Sequence, residues 1–535
     1  MEQFDYIVVG AGSAGCVLAN RLSEDPGARV LLLEAGGSDR RWDVRIPLAV
    51  SKLWPNPALT WGFLSEPEPE LDGRRLPVAR GRMLGGTSSL NGMMAIRGHR
   101  ADYDGWRDEG LPGWGWDDVL PWFRKLERHW RGDTRLHGGS GPLSVEPHPA
   151  PSALMANAVE AARALGYPIT QDFNGETTDG FGMPDFTIRN GRRCSAADAY
   201  LRPALARPNL AVRTGAIATG VLVREGRAVG IAYRRDGASV EVAATREVIL
   251  AGGAINSPQL LMFSGIGPAE HLRSHGIDVV AESAEVGANL QDHPGAGMEF
   301  DLDPALAFER ELRFDRLASS FLRWLLRGKG VMGAPPLAIS ANIATKPGSS
   351  EVDLHFLLIP LAMESRVWFP GVRRAFGARM GAMWSLNYPR SRGNLTLASA
   401  DPLDHPRIRF NLLSDPEDRA EMLRGYRSLR ALLAQPALAS VLGPIRRPVA
   451  DFASDEEVMA YIRATAATAY HPSGTCRMGS DARAVVDGEL RVRGVERLRV
   501  ADASIFPRLP GGNTNLPVIM VAERAADFVR KAHGR

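Results

Sequence analysis

Cysteine is scarce in this chain. Cys16, Cys194 and Cys476 lie far apart in 535 residues. An odd, scattered set excludes a disulfide framework and has no metal-ligand spacing. HExxH and clustered Cys/His patterns are missing too, so no metal is expected. Lysine is nearly as rare, with Lys52, Lys125, Lys329, Lys346 and Lys531 the whole set. The remaining cations are arginines, and no block of them is interleaved with aromatics in the manner of a nucleic-acid groove. The net charge of +3 is small for this length, so no nucleic-acid partner is expected. No apolar run reaches the ~20 residues of a membrane span; 'LHFLLIPLAM' is far too short, and no transmembrane segment is expected. The chain enters 'FDYIVVGAG' at once, leaving no room for a charged leader and cleavage site. With so few cysteines, the expected setting is reducing and cytoplasmic. No Gly-x-Ser-x-Gly elbow supports serine-hydrolase chemistry. Internal repeats and low-complexity linkers are also absent from the sequence.

What remains is ordinary globular composition, 44% hydrophobic and 23% charged. The length exceeds what one core usually supports, so two or more domains are expected. The first signal is 'FDYIVVGAGSAGCVLANRLSEDPGARVLLLEAGG', read as strand, tight turn, helix, strand. Tyr6 to Val9 and Val30 to Leu33 are buried parallel-type strands around the helix-like 'CVLANRL'. Gly10, Gly12 and Gly15 form GxGxxG: the first for the turn, the second for approach of a pyrophosphate, the third for helix packing. Glu34 closes the second strand, where a carboxylate can accept from ribose hydroxyls. An acid there disfavours a 2′-phosphate, leaving FAD or NAD.

Three further segments repeat the glycine-rich theme. 'RGRMLGGTSSLNGMMAIRG' joins a possible backbone nest at Gly85-Gly86 to the amide of Asn91, and 'MMAI' is too apolar for a solvated loop. 'EVILAGGAINSPQLLMFSGIGP' reads as a strand over Val248 to Leu250, then a helix starting near Ser257-Pro258. 'LRVADASIFPRLPGGNTNLPVIMVAERAADFVRKAHG' reads as a strand over Leu498 to Val500 ending at Asp502, then a helix opened by Asn515 and Pro517. Val518, Ile519, Ala522, Ala525 and Val529 recur there at helical spacing. In 'TAYHPSGTCRMG', His471 sits on a Pro/Gly-rich turn, either as a base or as an ordinary turn histidine.

Together these segments, with 'EVGANLQDHP', resemble the glucose–methanol–choline oxidoreductase family, in its choline-dehydrogenase-like bacterial branch. The motifs stand in family order over essentially the whole chain. The resemblance implies an α/β fold: a Rossmann-type FAD-binding domain interleaved with an α+β substrate domain built on an antiparallel sheet. Residues 1–155, 195–300 and 455–535 would form the first, and 156–194 and 301–454 the second. It implies FAD contacts at Gly10, Gly12, Ser13, Gly15, Glu34 and Ala35, with Ala218 near the adenine. Leu84, Gly85, Asn91, Gly92, Met93 and Met94 would line the pyrophosphate and flavin, and Asp502, Ala503 and Asn513 the ribityl side. N–H groups around Asn513 and Thr514, at a helix N-terminus, would stabilise negative charge on the reduced flavin.

By position in the family motifs, His471 matches the general base and Asn515 a partner that orients the substrate. The implied reaction is oxidation of a primary alcohol to the aldehyde, with hydride passing to flavin N5 and O2 or a quinone-like acceptor reoxidising the flavin. A non-redox lyase and a light-driven decarboxylase on the same fold are the alternatives. Some relatives bind FAD through a histidine at the position of Leu90, which cannot form that bond; His99 does not match it. Noncovalent FAD is therefore expected. His293 in 'NLQDHP' reads as structural and Cys476 as a packing residue. 'FERELRFDRLASSFLRWLLRGKG' reads as a domain helix or active-site lid, with a membrane-surface helix as the other reading.

Overall fold

The computed structural model describes residues 1–346, 351–449 and 451–534. Two seven-stranded sheets organise it. In the first, the strands Leu210–Arg213, Val30–Leu33, Glu2–Val9 and Ala238–Leu250 lie side by side and parallel. The thirteen-residue strand Ala238–Leu250 has two partners along its remaining edge. Its first half pairs antiparallel with Arg227–Arg235, while Val248, Ile249 and Leu250 pair parallel with Leu498, Arg499 and Val500. The buried apolar runs expected of parallel strands are observed: Ile7, Val8, Leu31, Leu32, Val248 and Ile249 have no accessible surface. Helix Ser13–Leu22 follows the first strand, and helix Asn515–Ala532 packs against it.

The second sheet is antiparallel, in the order Leu442–Arg447, Pro294–Leu302, Arg379–Leu386, Leu354–Ile359, Ile339–Ile343 and Gly180–Gly182. Helix Pro416–Leu433 packs on Arg379–Leu386. It starts where the sequence signals it, with the Asp415 carboxylate accepting from Glu417 N–H at 2.8 Å. The short strand Ala467–Thr468 joins this sheet, pairing with Pro294 and Gly295. The sequence places Pro294–Phe300 and Ala467–Thr468 in the cofactor-binding half, whereas both pair within the second sheet. Their pairing puts His293 and His471 at the seam between the two sheets.

One helix differs from expectation in a way that matters. It begins at Gly253 rather than near Ser257-Pro258, and Pro258 lies inside it. An interior proline cannot donate to the carbonyl four residues earlier. That carbonyl, Ala254 O, instead accepts from Thr475 Oγ1 at 2.7 Å. Thr475 belongs to the His471 turn, so the vacancy left by proline anchors that turn to the first domain. Ser257 is no cap either: its Oγ accepts from Gly252 N–H at 3.0 Å and donates to Asp502 at 2.6 Å.

Candidate active site

Four of the five parallel strands of the first sheet end at one cavity. Gly10, Glu34, Ala251 and Asp502 follow the strand ends and line a space of ≈ 800 Å³ that runs beneath the second sheet to His471. Ligands in doubly wound folds bind at this carboxyl edge. The fingerprint glycines divide the work. Gly10 has φ +99°, and a Cβ there would lie 2.7 Å from Ala251 O. A Cβ on Gly15 would lie 1.8 Å from Gly10 O, so helix and turn touch there. Gly12 is different: a Cβ would meet nothing closer than 3.9 Å, and the residue faces the cavity.

Glu34 accepts from Ala11 N–H at 2.9 Å and Gly36 N–H at 2.8 Å, one on each oxygen. Burial pushes its pKa up to about 7, against the pull of those two N–H groups. Each oxygen keeps a second lone pair for a hydroxyl donor. Ser13 donates to Asn515 Oδ1 at 2.7 Å. This bond ties together the N-termini of two helices, both facing the cavity with free N–H groups and partial positive charge.

Of the other residues singled out from sequence, Ala35, Asn91, Gly92, Met93, Met94, Ala218, Ala503, Asn513 and Thr514 line the cavity. Leu84 and Gly85 do not; Gly86 and Thr87 take their place. Gly85 sits behind the wall, donating its N–H to Ala11 O at 2.7 Å, and Leu84 donates to Gly37 O at 3.0 Å. Met93 and Tyr470 have φ +62°, a left-handed conformation that non-glycine residues rarely adopt. Tyr470 immediately precedes His471, so the backbone is held in an uncommon state where the candidate base is presented.

His471 is positioned from three sides. Its backbone N–H donates to Asp292 Oδ1 at 2.9 Å, and the same oxygen accepts from His293 N–H at 2.8 Å. Its Nδ1 lies 2.9 Å from His293 Nδ1, and its Nε2 lies 3.2 Å from Asn513 Nδ2. Asn515, expected as its partner, is turned away to Ser13. The helix begins at Asn515, so that side chain points along the helix start, while Asn513 in the preceding loop reaches back across the seam. The other atom of the Asn513 amide, Oδ1, is buried without a protein partner. With the amide donating to Nε2, His471 carries its proton on Nδ1 and donates it to His293. Nε2 is then the unprotonated, basic nitrogen, its lone pair accepting from the Asn513 amide.

The electrostatics favour a neutral His471. Burial, then the neighbouring His293 and the Arg80 guanidinium, hold its pKa well below the ordinary imidazole value. Burial together with His355 takes His293 down to about 3, so it stays neutral and able to accept. Asp292 is pushed up to about 7 by burial, opposed chiefly by the His471 N–H and Arg80. Sequence reasoning passes over Asp292 and Arg80 and reads His293 as structural. The only signal was the adjacency of two ionisable side chains in 'QDHP', which does not reveal what stands opposite them.

Residues 4–295 and 389–522 match the N- and C-terminal domains of GMC oxidoreductases. The chain belongs to the GMC oxidoreductase family. Mitochondrial choline dehydrogenase of Mus musculus is 42% identical over 99% of this chain and 90% of that protein. Oxygen-dependent choline dehydrogenase of Sinorhizobium medicae is 40% identical over 98% and 95%. Pyridoxine 4-oxidase from Mesorbium loti has TM-score 0.88 and 31% identity, covering 99% of each chain. Formate oxidase from Aspergillus oryzae has TM-score 0.91 and 27% identity, covering 100% of this chain and 99% of that one. This GMC oxidoreductase is an FAD-dependent enzyme acting on CH–OH donors. Its cavity fits FAD: Gly12 leaves open room at the fingerprint turn, two helix N-termini face inward, and Asn513 Oδ1 awaits a donor.

Two other groups complete the description. Leu90 lines the cavity wall, while His99 does not and sits against Tyr388. Cys476 is fully buried, and burial holds its thiol pKa well above the usual value. Away from the cavity, folding gathers Glu127, His129 and His137, which carry metal-ligand chemistry although no sequence motif announced them. One ligand atom from each lies within 4.8 Å of the others, but all three groups already have protein partners. The two histidine rings lie 3.8 Å apart, tilted by 31°. Arg97 already holds Glu127 at 2.5 Å. His137 bridges Glu127 at 3.1 Å and Asp172 at 2.8 Å. Burial lowers its pKa, but the bonds to Asp172 and Glu127 outweigh that and raise it overall. Folding therefore favours the protonated ring. Its stabilisation is complete below the unfolded pKa of about 6.5 and is lost as pH rises through the folded value. The melting temperature is expected to fall above neutral pH, and His137→Gln to flatten that fall, in melts recorded from pH 6 to 9.

Proposed function

We propose that this enzyme oxidises a primary alcohol with an uncharged, largely apolar body to its aldehyde, with His471 as general base. The observation that carries the reading is the His293–His471–Asn513 row, which leaves His471 Nε2 unprotonated at the cavity. An alcohol hydroxyl would displace the Asn513 amide from Nε2 and accept from that amide instead, and Nε2 would take the hydroxyl proton. Bound FAD supplies the acceptor for the carbinol hydride. The proton taken up would stay on His471, whose Nδ1–H donates to the neutral His293.

The walls around the base bear on the alcohol. Trp54, Leu357, Ile359, Met363 and Tyr470 line this part of the cavity, and Arg80 is the charged side chain among them. The carboxylates of the lining, Glu34, Asp404 and Asp502, follow other segments. A fixed cation beside the base disfavours a quaternary ammonium: Trp54 and Tyr470 offer it aromatic faces, but no carboxylate in this part of the lining offsets Arg80. The choline relatives therefore support the alcohol chemistry and the primary-alcohol class more than choline itself.

The test is anaerobic. The purified enzyme is mixed in the dark with choline and a series of primary alcohols, and the flavin absorbance is followed. Bleaching by an uncharged alcohol supports the reading, and admitting air then distinguishes O2 from a quinone-like acceptor. Bleaching only by choline overturns the substrate class. Turnover only under illumination, or none with any alcohol while dithionite reduces the flavin, overturns the reaction. In the same assay Asn513→Ala is expected to slow reduction at least about tenfold, in line with loss of one positioned hydrogen bond. Asn515→Ala is expected to act mainly on flavin retention, since its partner is Ser13. Because Leu90 is apolar, acid precipitation is expected to release all the flavin to the supernatant; flavin left in the pellet would show a covalent link elsewhere.

A further inference from the structure

Helix Phe314–Arg327 carries more apolar surface than its packing uses. Its inner side, Leu317, Phe321 and the fully buried Trp324, joins a small core with Ile46, Leu48 and Leu312. A second apolar stripe runs along the outside. Phe314, Leu322, Leu325 and Leu326 are 60, 55, 38 and 72% exposed. The first three, spaced 8 and 3 residues apart, fall on one face of a 3.6-residue helix. The loop beside the helix continues this surface. Phe314 N–H donates to Trp368 O at 2.8 Å, the Phe314 and Phe369 rings meet edge to face at 6.4 Å, and Val372 is 84% exposed.

The same unit concentrates cations. Arg323, Arg327, Lys329, Arg366, Arg373 and Arg374 are exposed and have no carboxylate partner among the described residues. Elsewhere most arginines pair with acids, as Arg21 does with Glu523 and Arg499 with Glu247. Exposed apolar side chains rimmed by unpaired arginines match an anionic lipid surface, where the apolar stripe enters the acyl boundary and the cations meet phosphates. A second copy of the chain fits less well. A two-fold interface would set the same unpaired cations against one another. The patch is also continuous with the active site: Met363, 51% exposed and five residues before Trp368, lines the cavity.

We propose that helix Phe314–Arg327 and the loop at residues 363–374 dock the enzyme on an anionic phospholipid bilayer, with the cavity mouth at Met363 facing the lipid. This is peripheral docking; no helix among the described residues is long and apolar enough to cross a membrane. The proposal does not depend on which alcohol is oxidised.

Vesicle sedimentation of the full-length flavoprotein tests it, using phosphatidylcholine with and without an equal share of phosphatidylglycerol. The wild type is expected to sediment with the anionic vesicles and hardly with phosphatidylcholine alone. The double variant Leu322→Glu/Leu326→Glu and the double variant Arg323→Glu/Arg327→Glu are each expected to weaken binding at least tenfold, while Leu205→Glu, at an exposed leucine elsewhere, leaves it unchanged. Melting temperature and flavin content without vesicles verify that the variants are folded. Failure of the wild type to sediment with anionic vesicles overturns the proposal, as does equal binding by the leucine variant. A wild-type dimer that ignores vesicles and dissociates in the leucine variant also overturns it, and assigns the patch to contact between copies.

Discussion

Replacing His471 by alanine is expected to slow alcohol-dependent flavin reduction by about 10²- to 10⁴-fold, the usual contribution of a positioned base, without loss of FAD. The argument rests on access and charge. Nε2 faces the cavity, Nδ1 is engaged by His293 at 2.9 Å, and the backbone N–H is held by Asp292 at 2.9 Å. Burial, with His293 and Arg80 nearby, keeps the imidazole unprotonated at neutral pH. A base with a depressed pKa stays in its active form until pH falls below the ordinary imidazole range. The acidic limb of kcat/KM is therefore expected below about pH 6.5, and to vanish in the alanine variant together with most of the rate. Rapid anaerobic mixing across pH 5 to 9 measures both. A loss of less than about tenfold would give the proton to another acceptor.

Gly12→Val is expected to give a folded protein almost devoid of flavin. The physical distinction among the fingerprint glycines makes this specific. At Gly15 a side chain would collide with Gly10 O at 1.8 Å, and at Gly10 with Ala251 O at 2.7 Å, so changes there disturb the turn itself. At Gly12 the backbone is extended, φ −75° and ψ −160°, and a Cβ meets nothing closer than 3.9 Å. Valine methyl groups there would fill the space in which a pyrophosphate must approach the backbone. Flavin occupancy, read from the ratio of flavin to protein absorbance, should drop at least about tenfold. The melting temperature should fall only by the amount that bound FAD contributes, and should match that of wild-type protein stripped of flavin. Full occupancy in Gly12→Val would mean that the cofactor does not approach this turn.

How much of the site could be read in advance depended on how local each feature is. The fingerprint strands, the helix after them and Glu34 lie within 34 residues, and short-range sterics dictate their arrangement. The C-terminal helix was legible for a similar reason, since Asn515 and Pro517 mark its start and the residues of its periodic stripe are buried. The Gly253 helix was misread because proline and serine are good start signals. The structure keeps Pro258 inside the helix by giving the freed Ala254 carbonyl to Thr475, 221 residues away. Nothing near Pro258 in the sequence encodes that partner. The choice between Asn513 and Asn515 failed similarly. Both precede or open the same helix, and only the location of Ser13 and His471 in space separates their roles.

By itself, then, the sequence determined the parallel strands, the phosphate-type turn, the apolar residue at position 90 and the candidacy of His471. Each follows from residue type and spacing within one segment. The tertiary structure alone decided which asparagine faces His471, that His293 and Asp292 hold it, and that Gly86 and Thr87 rather than Leu84 and Gly85 line the cavity. The cavity wall depends on Gly85 N–H reaching Ala11 O, and the contact at His471 on the pairing of Pro294 with Thr468, which brings together histidines 178 residues apart. Local spacing carries no information about such a pairing, because the closure of so long a loop is repaid only by contacts made across the finished seam.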